Sequence, residues 1–345
     1  MNIVVLCGGL SNERDVSISS GTCVARALSA RGHRVALLDL YLGYDAPFGD
    51  PLEVFGREAP APDSAAVGKT FPELSEIRAL RPDDASRVGP NVLELCRAAD
   101  IVFLALHGEE GENGKVQALF DLYGVRYTGC GYLGSALAMH KGLSKTLFRE
   151  RNIPTPEFLL LRRGGTPYRD IGFPCVVKPC SGGSSVGISI VRDAEDFLRA
   201  LETAFRYDGQ VMIERYIKGR ELTVGVLGGE ALPVIEIIPK SGFYDYRNKY
   251  QAGATEELCP APIGDEATVR AQRLAKSVGE ALMLDAYYRI DVLWDTEADV
   301  MYCIEANTLP GMTPTSLIPR MGEAAGIGFG RVCEMIIEES LNKNP

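Results

Sequence analysis

Short apolar runs bounded by glycine or polar residues recur along the first third of the chain. Residues 2–7 (NIVVLC) close on Gly8-Gly9, residues 34–39 (RVALLD) follow a helical stretch at 24–28 that ends near Gly32, and residues 101–106 follow a second helical pattern over 91–98. Short apolar runs separated by helix-length periodic segments predict buried parallel strands with helices on the sheet faces. The N-terminal third therefore reads as α/β. Between the second and third strands, residues 41–90 are rich in Pro, Gly, Ala and Asp with weak periodicity, and read as a surface insertion.

The pattern changes after residue 131. A helix is expected through 139–151, strands at 158–161 and 175–178, and then a Gly/Ser loop. From residue 221 the pattern gives strands at 222–227 and 232–238, a long polar loop to 262 and a helix over 266–283. Two further strands, 287–294 and 301–307, are joined by the acidic turn 295–299. No internal repeat is visible.

Composition narrows the functional classes. A chain of 345 residues is two to three times a typical domain of roughly 100 to 150 residues. With 46% hydrophobic and 24% charged residues it is too apolar to be disordered. The formal charge, 36 − 46 = −10, repels phosphate backbones and anionic bilayers alike, which argues against nucleic-acid and membrane partners. No apolar stretch approaches the ~20 residues that cross a bilayer. Nine cysteines without a CxxC pair, and a start without a basic leader, read as reduced thiols in a cytoplasmic protein.

Several motifs carry candidate chemistry. Gly129-Cys130-Gly131-Tyr132-Leu133-Gly134 matches a dinucleotide-binding GxGxxG, but without a long first strand or a clearly placed acidic residue about 20 positions on; tight turning explains the glycines better. Gly68-Lys69-Thr70 resembles the end of a P-loop, but Asp63 stands where its first glycine belongs. Stronger is the strand 176–178, ending on Lys178, which passes into Ser181-Gly182-Gly183-Ser184-Ser185. Exposed N–H groups of such a loop suit phosphate oxygens, and the loop leads into a strand where a P-loop leads into a helix.

Strand alternation puts Arg289 on a face with Asp291, and Glu305 on a face with Asn307. Hard oxygen donors there suit Mg²⁺ on nucleotide phosphates, and Arg289 suits an oxyanion. Residues 213–221 offer backbone groups to a base, and the carboxylates of Glu214 and Glu221 to an amine or a ribose.

Taken in order, these pieces resemble an ATP-grasp enzyme, and Gly8-Gly9-Leu10-Ser11-Asn12-Glu13-Arg14-Asp15-Val16-Ser17 narrows the resemblance to the D-alanine:D-alanine ligase family. The similarity runs over about residues 1–340. It is most specific at 11–17, His107-Gly108, 178–187, 243–250 and 305–319.

The resemblance implies a mixed α/β and α+β, three-domain ATP-grasp architecture with an N-terminal parallel α/β (pre-ATP-grasp) domain. Its expected divisions are 1–129, 130–218 and 219–345. It implies joining of two D-alanines through an acyl phosphate for peptidoglycan synthesis, with ATP, two Mg²⁺ ions (Mn²⁺ as a substitute) and a homodimer. Lys141, Lys178, Ser185, Glu214, Ile217 and Glu221 would contact the nucleotide, with Lys141 and Lys178 on phosphates and Glu221 on the ribose. Asp291, Glu305 and Asn307 would hold the metal.

The same resemblance gives Glu13 the first substrate's ammonium, linked through Ser184 and Tyr250. Arg289 and the Gly311 N–H would form the oxyanion site, and Lys249 would approach the transferred phosphate. Val16, His107, Ser316 and Leu317 would line the substrate subsites. Tyr250 and Leu317 keep the D-alanine pattern against the D-serine or D-lactate alternatives. A different ATP-grasp ligase would share Lys178, Asp291, Glu305 and Asn307 without needing Glu13. The chain departs from the family pattern at His140, where Asp is usual, at Gly183, where an acidic residue is common, and at Asn113, where Asp is frequent.

Overall fold

The computed structural model describes residues 1–57, 72–81, 86–165, 170–183, 186–240 and 255–343. Strands β1 (Asn2–Cys7), β2 (Arg34–Asp39) and β3 (Ile101–Leu104) form a parallel sheet in the order β2-β1-β3, with Ile3 beside both Val35 and Ile101. Ile3, Val4, Val5 and Leu6 are fully buried, as a strand covered on both faces must be.

Helix α1 (Arg14–Ala30) begins ten residues before its apolar pattern does. Its first turns carry the buried serines Ser17, Ser19 and Ser20: Ser17 Oγ accepts from Gly8 N at 2.8 Å and donates to Ala105 O at 2.7 Å. The stretch expected as a surface insertion contributes to the interior. It holds α2 (Leu74–Ala79), and Val54 and Phe55 join the first core while Tyr41 is fully buried. Arg34 anchors it by donating to Leu52 O and Phe55 O.

Helices α3 (Val92–Ala98), α4 (Glu109–Glu112) and α5 (Lys115–Tyr123) follow. The helix expected over 139–151 is α7 (Lys141–Glu150); α6 (Tyr132–Met139) precedes it, the two separated at His140. The GxGxxG glycines serve turning and packing: Gly129 has φ +89°, and a side-chain carbon at Gly134 would lie 2.6 Å from Met283 O.

A four-stranded antiparallel sheet, β4 (Phe158–Arg162), β5 (Cys175–Pro179), β6 (Ser189–Val191) and β7 (Gln210–Arg215), runs β4-β7-β5-β6 under α8 (Ala194–Ala204). The glycine loop leads from β5 into β6, as its sequence implied.

The third sheet contains β8 (Arg220–Leu227), β9 (Glu230–Ala231), β10 (Ile235–Pro239), β11 (Thr255–Leu258), β12 (Tyr287–Asp295) and β13 (Val300–Asn307). Its order is β11-β10-β8-β12-β13, with β9 against β8, and α9 (Asp265–Leu282) packs on it. Strand β11 lies in the stretch expected as loop. Helices α10 (Leu317–Ala324) and α11 (Phe329–Leu341) return the chain to the first core, where Val332, Cys333, Ile336 and Ile337 are buried. Among the described residues no helix is long and apolar enough to cross a membrane.

Candidate active site

A cavity of about 340 Å³ opens where the three sheets meet, lined among others by Glu13, Val16, His107, Lys141, Arg289, Glu305, Asn307, Gly311, Ser316 and Leu317. Elements more than 290 residues apart in sequence are joined beside it: Met312 N donates to Ser20 Oγ at 3.2 Å. Ser20 Oγ also lies 3.2 Å from His107 Nε2, and His107 Nδ1 lies 3.6 Å from Glu112 Oε1.

Glu13 sits at the start of α1, its backbone fixed by Ser11 Oγ, which accepts from Glu13 N and donates to His107 O. A side-chain carbon at Gly108 or Gly183 would fall 3.0 Å from Glu13 Oε2, so the two glycines admit this carboxylate between them. Gly183, one of the departures from the family pattern, thus leaves room for Glu13.

The break at His140 aims Lys141. His140 Nδ1 accepts from Leu143 N at 3.2 Å and so caps α7, the task an Asp performs at this position in other helices. Lys141 N then donates to Cys180 O, and Lys141 Nζ reaches Gly182 O at 2.6 Å and Glu305 Oε2 at 3.4 Å.

Strands β12 and β13 pair Asp291 with Glu305 and Arg289 with Asn307, so four polar side chains share one face of the sheet. Arg289 grips Asp291 with two hydrogen bonds of 2.9 and 2.8 Å, and Thr223 Oγ1 donates to Asp291 Oδ1 at 2.7 Å. Asn307 Oδ1 accepts from Leu309 N, and Ser316 Oγ accepts from Thr313 N. Gly311 approaches so closely that a side-chain carbon there would lie 2.9 Å from Ser316 Oγ.

Asp291, Lys178, Glu214, Ile217 and Glu221 are not on the cavity wall. Lys178 and Glu214 are instead buried side by side on β5 and β7, with Lys178 Nζ 3.0 Å from Glu214 Oε1. Ile217 is buried just past β7, and Glu221 is half-buried on β8. Ser184, Ser185, Lys249 and Tyr250 lie outside the described residues.

Sequence reasoning missed Lys145, which is fully buried with Nζ 2.6 Å from Glu214 Oε2. Its spacing of four from Lys141 on one helix face was the available signal. Burial by itself raises the Glu214 carboxyl, but Lys145 and Lys178 outweigh it and hold the group below its ordinary range. Burial lowers the Lys145 ammonium, with Glu214 opposing that shift.

Among the described residues no three His, Cys, Asp or Glu side chains cluster as metal ligands. Asp291, Glu305 and Asn307 are two carboxylates and an amide, all oxygen donors, which fits Mg²⁺ because that ion keeps waters and takes phosphate oxygens to complete its shell.

Family models described as D-ala D-ala ligase N-terminus and C-terminus match residues 2–130 and 147–338. The chain belongs to the D-alanine–D-alanine ligase family. It is 42% identical over 341 residues to the D-alanine–D-alanine ligase of Pediococcus pentosaceus, covering 98% of this chain and 97% of that one. The D-alanine–D-alanine ligase of Geobacter sulfurreducens is 40% identical, with 97% and 92% covered.

Among solved structures, the Bacillus anthracis D-alanine–D-alanine ligase complexed with ATP superposes with a TM-score of 0.76 at 30% identity, covering 99% and 97% of the two chains. The VanG D-Ala:D-Ser ligase of Enterococcus faecalis gives 0.74 at 26% identity, with 98% and 99% covered. These structural relatives carry the ATP-grasp fold expected from the sequence.

Proposed function

We propose that this protein joins two D-alanines at the expense of ATP, making D-alanyl-D-alanine for peptidoglycan. The observation that carries the reading is the convergence of Glu13, Lys141, Arg289, Glu305 and Ser316 on one cavity, in a chain of this family. One D-alanine carboxylate attacks the γ-phosphorus of ATP, giving an acyl phosphate and ADP. The amine of the second D-alanine then attacks the acyl carbon, and phosphate leaves.

The residues divide this work. Glu13 holds the first ammonium, with Ser184 and Tyr250 completing its link. Val16, His107, Ser316 and Leu317 form the substrate walls, and the N-terminus of α10 favours a substrate carboxylate at Ser316. Arg289 and the Gly311 N–H face the tetrahedral oxyanion, where donors fixed in advance lower the barrier most. Lys141, Lys178, Ser185 and Lys249 attend the phosphates. Glu214 accepts from the amine of the base, Ile217 packs against the base and Glu221 binds the ribose. Two magnesium ions, replaceable by manganese, would be held by Asp291, Glu305 and Asn307 and would neutralise phosphate charge.

We assign the three divisions 1–129, 130–218 and 219–345 to an N-terminal α/β domain, a central ATP-grasp subdomain and a C-terminal ATP-grasp subdomain. The working unit is a homodimer. The nine free thiols fit a reducing cytoplasm.

The test is phosphate release from ATP and Mg²⁺ against D-alanine, L-alanine, D-serine and D-alanine plus D-lactate, with products identified by mass. D-Alanine-dependent release with dipeptide is expected. Release only with a mixed pair overturns the second-substrate assignment, and no release with any of them overturns the ligase reading.

A further inference from the structure

Lys145 has no role in the assignments above, yet it is the most completely enclosed charge near the nucleotide side. It is 0% exposed on α7, one turn beyond Lys141. Its Nζ donates to Thr155 Oγ1 at 2.6 Å, and Thr155 Oγ1 donates in turn to Cys303 O at 2.9 Å on β13. Its second contact is Glu214 Oε2 at 2.6 Å, while Lys178 takes Oε1 at 3.0 Å.

An ammonium placed wholly out of water costs free energy unless it is paired, so the site is built around the pair and not around the lysine. With a lysine on each oxygen the Glu214 carboxylate cannot rotate. A carboxylate has about four acceptor directions, and two remain for a ligand. The trio also carries 2 − 1 = +1 charge, so pairing Glu214 with Lys145 leaves positive charge for Lys178 to present to phosphate.

We propose that Lys145 is a positioning residue: it fixes the Glu214 carboxylate so that it accepts from the exocyclic amine of adenine, and thereby sets the preference for adenine over guanine nucleotides. The inference rests on the reading of Glu214 as the base contact. Guanine presents a carbonyl oxygen where adenine presents its amine. A fixed carboxylate rejects that oxygen, and one free to turn aside rejects it less.

Lys145→Met in the full-length enzyme tests this, with kcat/KM measured for ATP and GTP and KM for D-alanine at saturating ATP. The ATP-over-GTP preference is expected to fall about tenfold or more, while KM for D-alanine stays within about twofold. In a Glu214→Gln background the same substitution should change the preference no further, because both act through one carboxylate.

Proportional loss with both nucleotides, or additive effects in the double variant, overturns the role. Where near-UV circular dichroism shows Lys145→Met unfolded, Thr155→Val serves instead. It removes one anchor of the ammonium, and an unchanged nucleotide preference in it also overturns the role. A wild-type enzyme that uses ATP and GTP equally instead overturns the base-contact reading of Glu214 itself.

Discussion

The molecule holds two charged clusters that treat solvent differently. Lys145, Glu214 and Lys178 are buried, with one lysine on each Glu214 oxygen at 2.6 and 3.0 Å, and none of them lines the site cavity. Arg289, Glu305 and Lys141 line that cavity, where Lys141 lies 3.4 Å from Glu305 and Arg289 is committed to Asp291. The closed cluster fixes a geometry before any ligand arrives. The open one makes moderate internal pairs that an incoming phosphate or cation can replace. Preorganisation and exchangeability are thus assigned to separate clusters, linked through α7, which carries Lys145 and Lys141 one turn apart, and substitutions should separate them.

The largest effect is expected on the open side. Arg289→Met removes the proposed oxyanion partner and leaves Asp291 without its bidentate cation, so kcat should fall about a hundredfold to a thousandfold in a phosphate-release assay. Nucleotide binding, measured by fluorescence titration, should change far less. Equal loss of both would erase the distinction between the clusters.

Glu13→Gln comes next. It retains the shape that fits between Gly108 and Gly183 but loses the charge, and KM for D-alanine should rise about tenfold to a hundredfold with KM for ATP nearly unchanged. Equal loss of D-alanine and ATP binding would remove Glu13 from the ammonium site.

The smallest effect appears only in acid and belongs to the closed cluster. Glu214 is held below its ordinary range in the folded state. Its contribution to stability is therefore complete above the unfolded value of about 4.3 and is lost as pH falls through the folded value. Thermal melts of the wild type should decline more steeply below about pH 4.3 than those of Glu214→Gln. Parallel declines would mean the buried pairs contribute nothing to acid stability.

Much of the fold was legible because burial leaves a periodic trace. Strands covered on both faces read as apolar runs, and the polar face of β12 and β13 read as alternation that register then aligned. The trace failed where polar residues are buried for backbone reasons. Serines conceal the start of α1. It failed again where Val54 and Phe55 enter the first core, and Tyr41 is fully buried, from a stretch of weak periodicity.

Sequence alone determined the family, the parallel first sheet and the residue types of the candidate site, because ordered motifs and hydrophobic periods are local properties of the chain. Tertiary structure decided which of those residues meet. It set Glu13 between two glycines from different segments, joined Ser20 to Met312 across the molecule and enclosed Lys145 against Glu214. A buried charge is tolerated only beside its partner, and in a folded chain that partner can stand dozens of residues away in sequence.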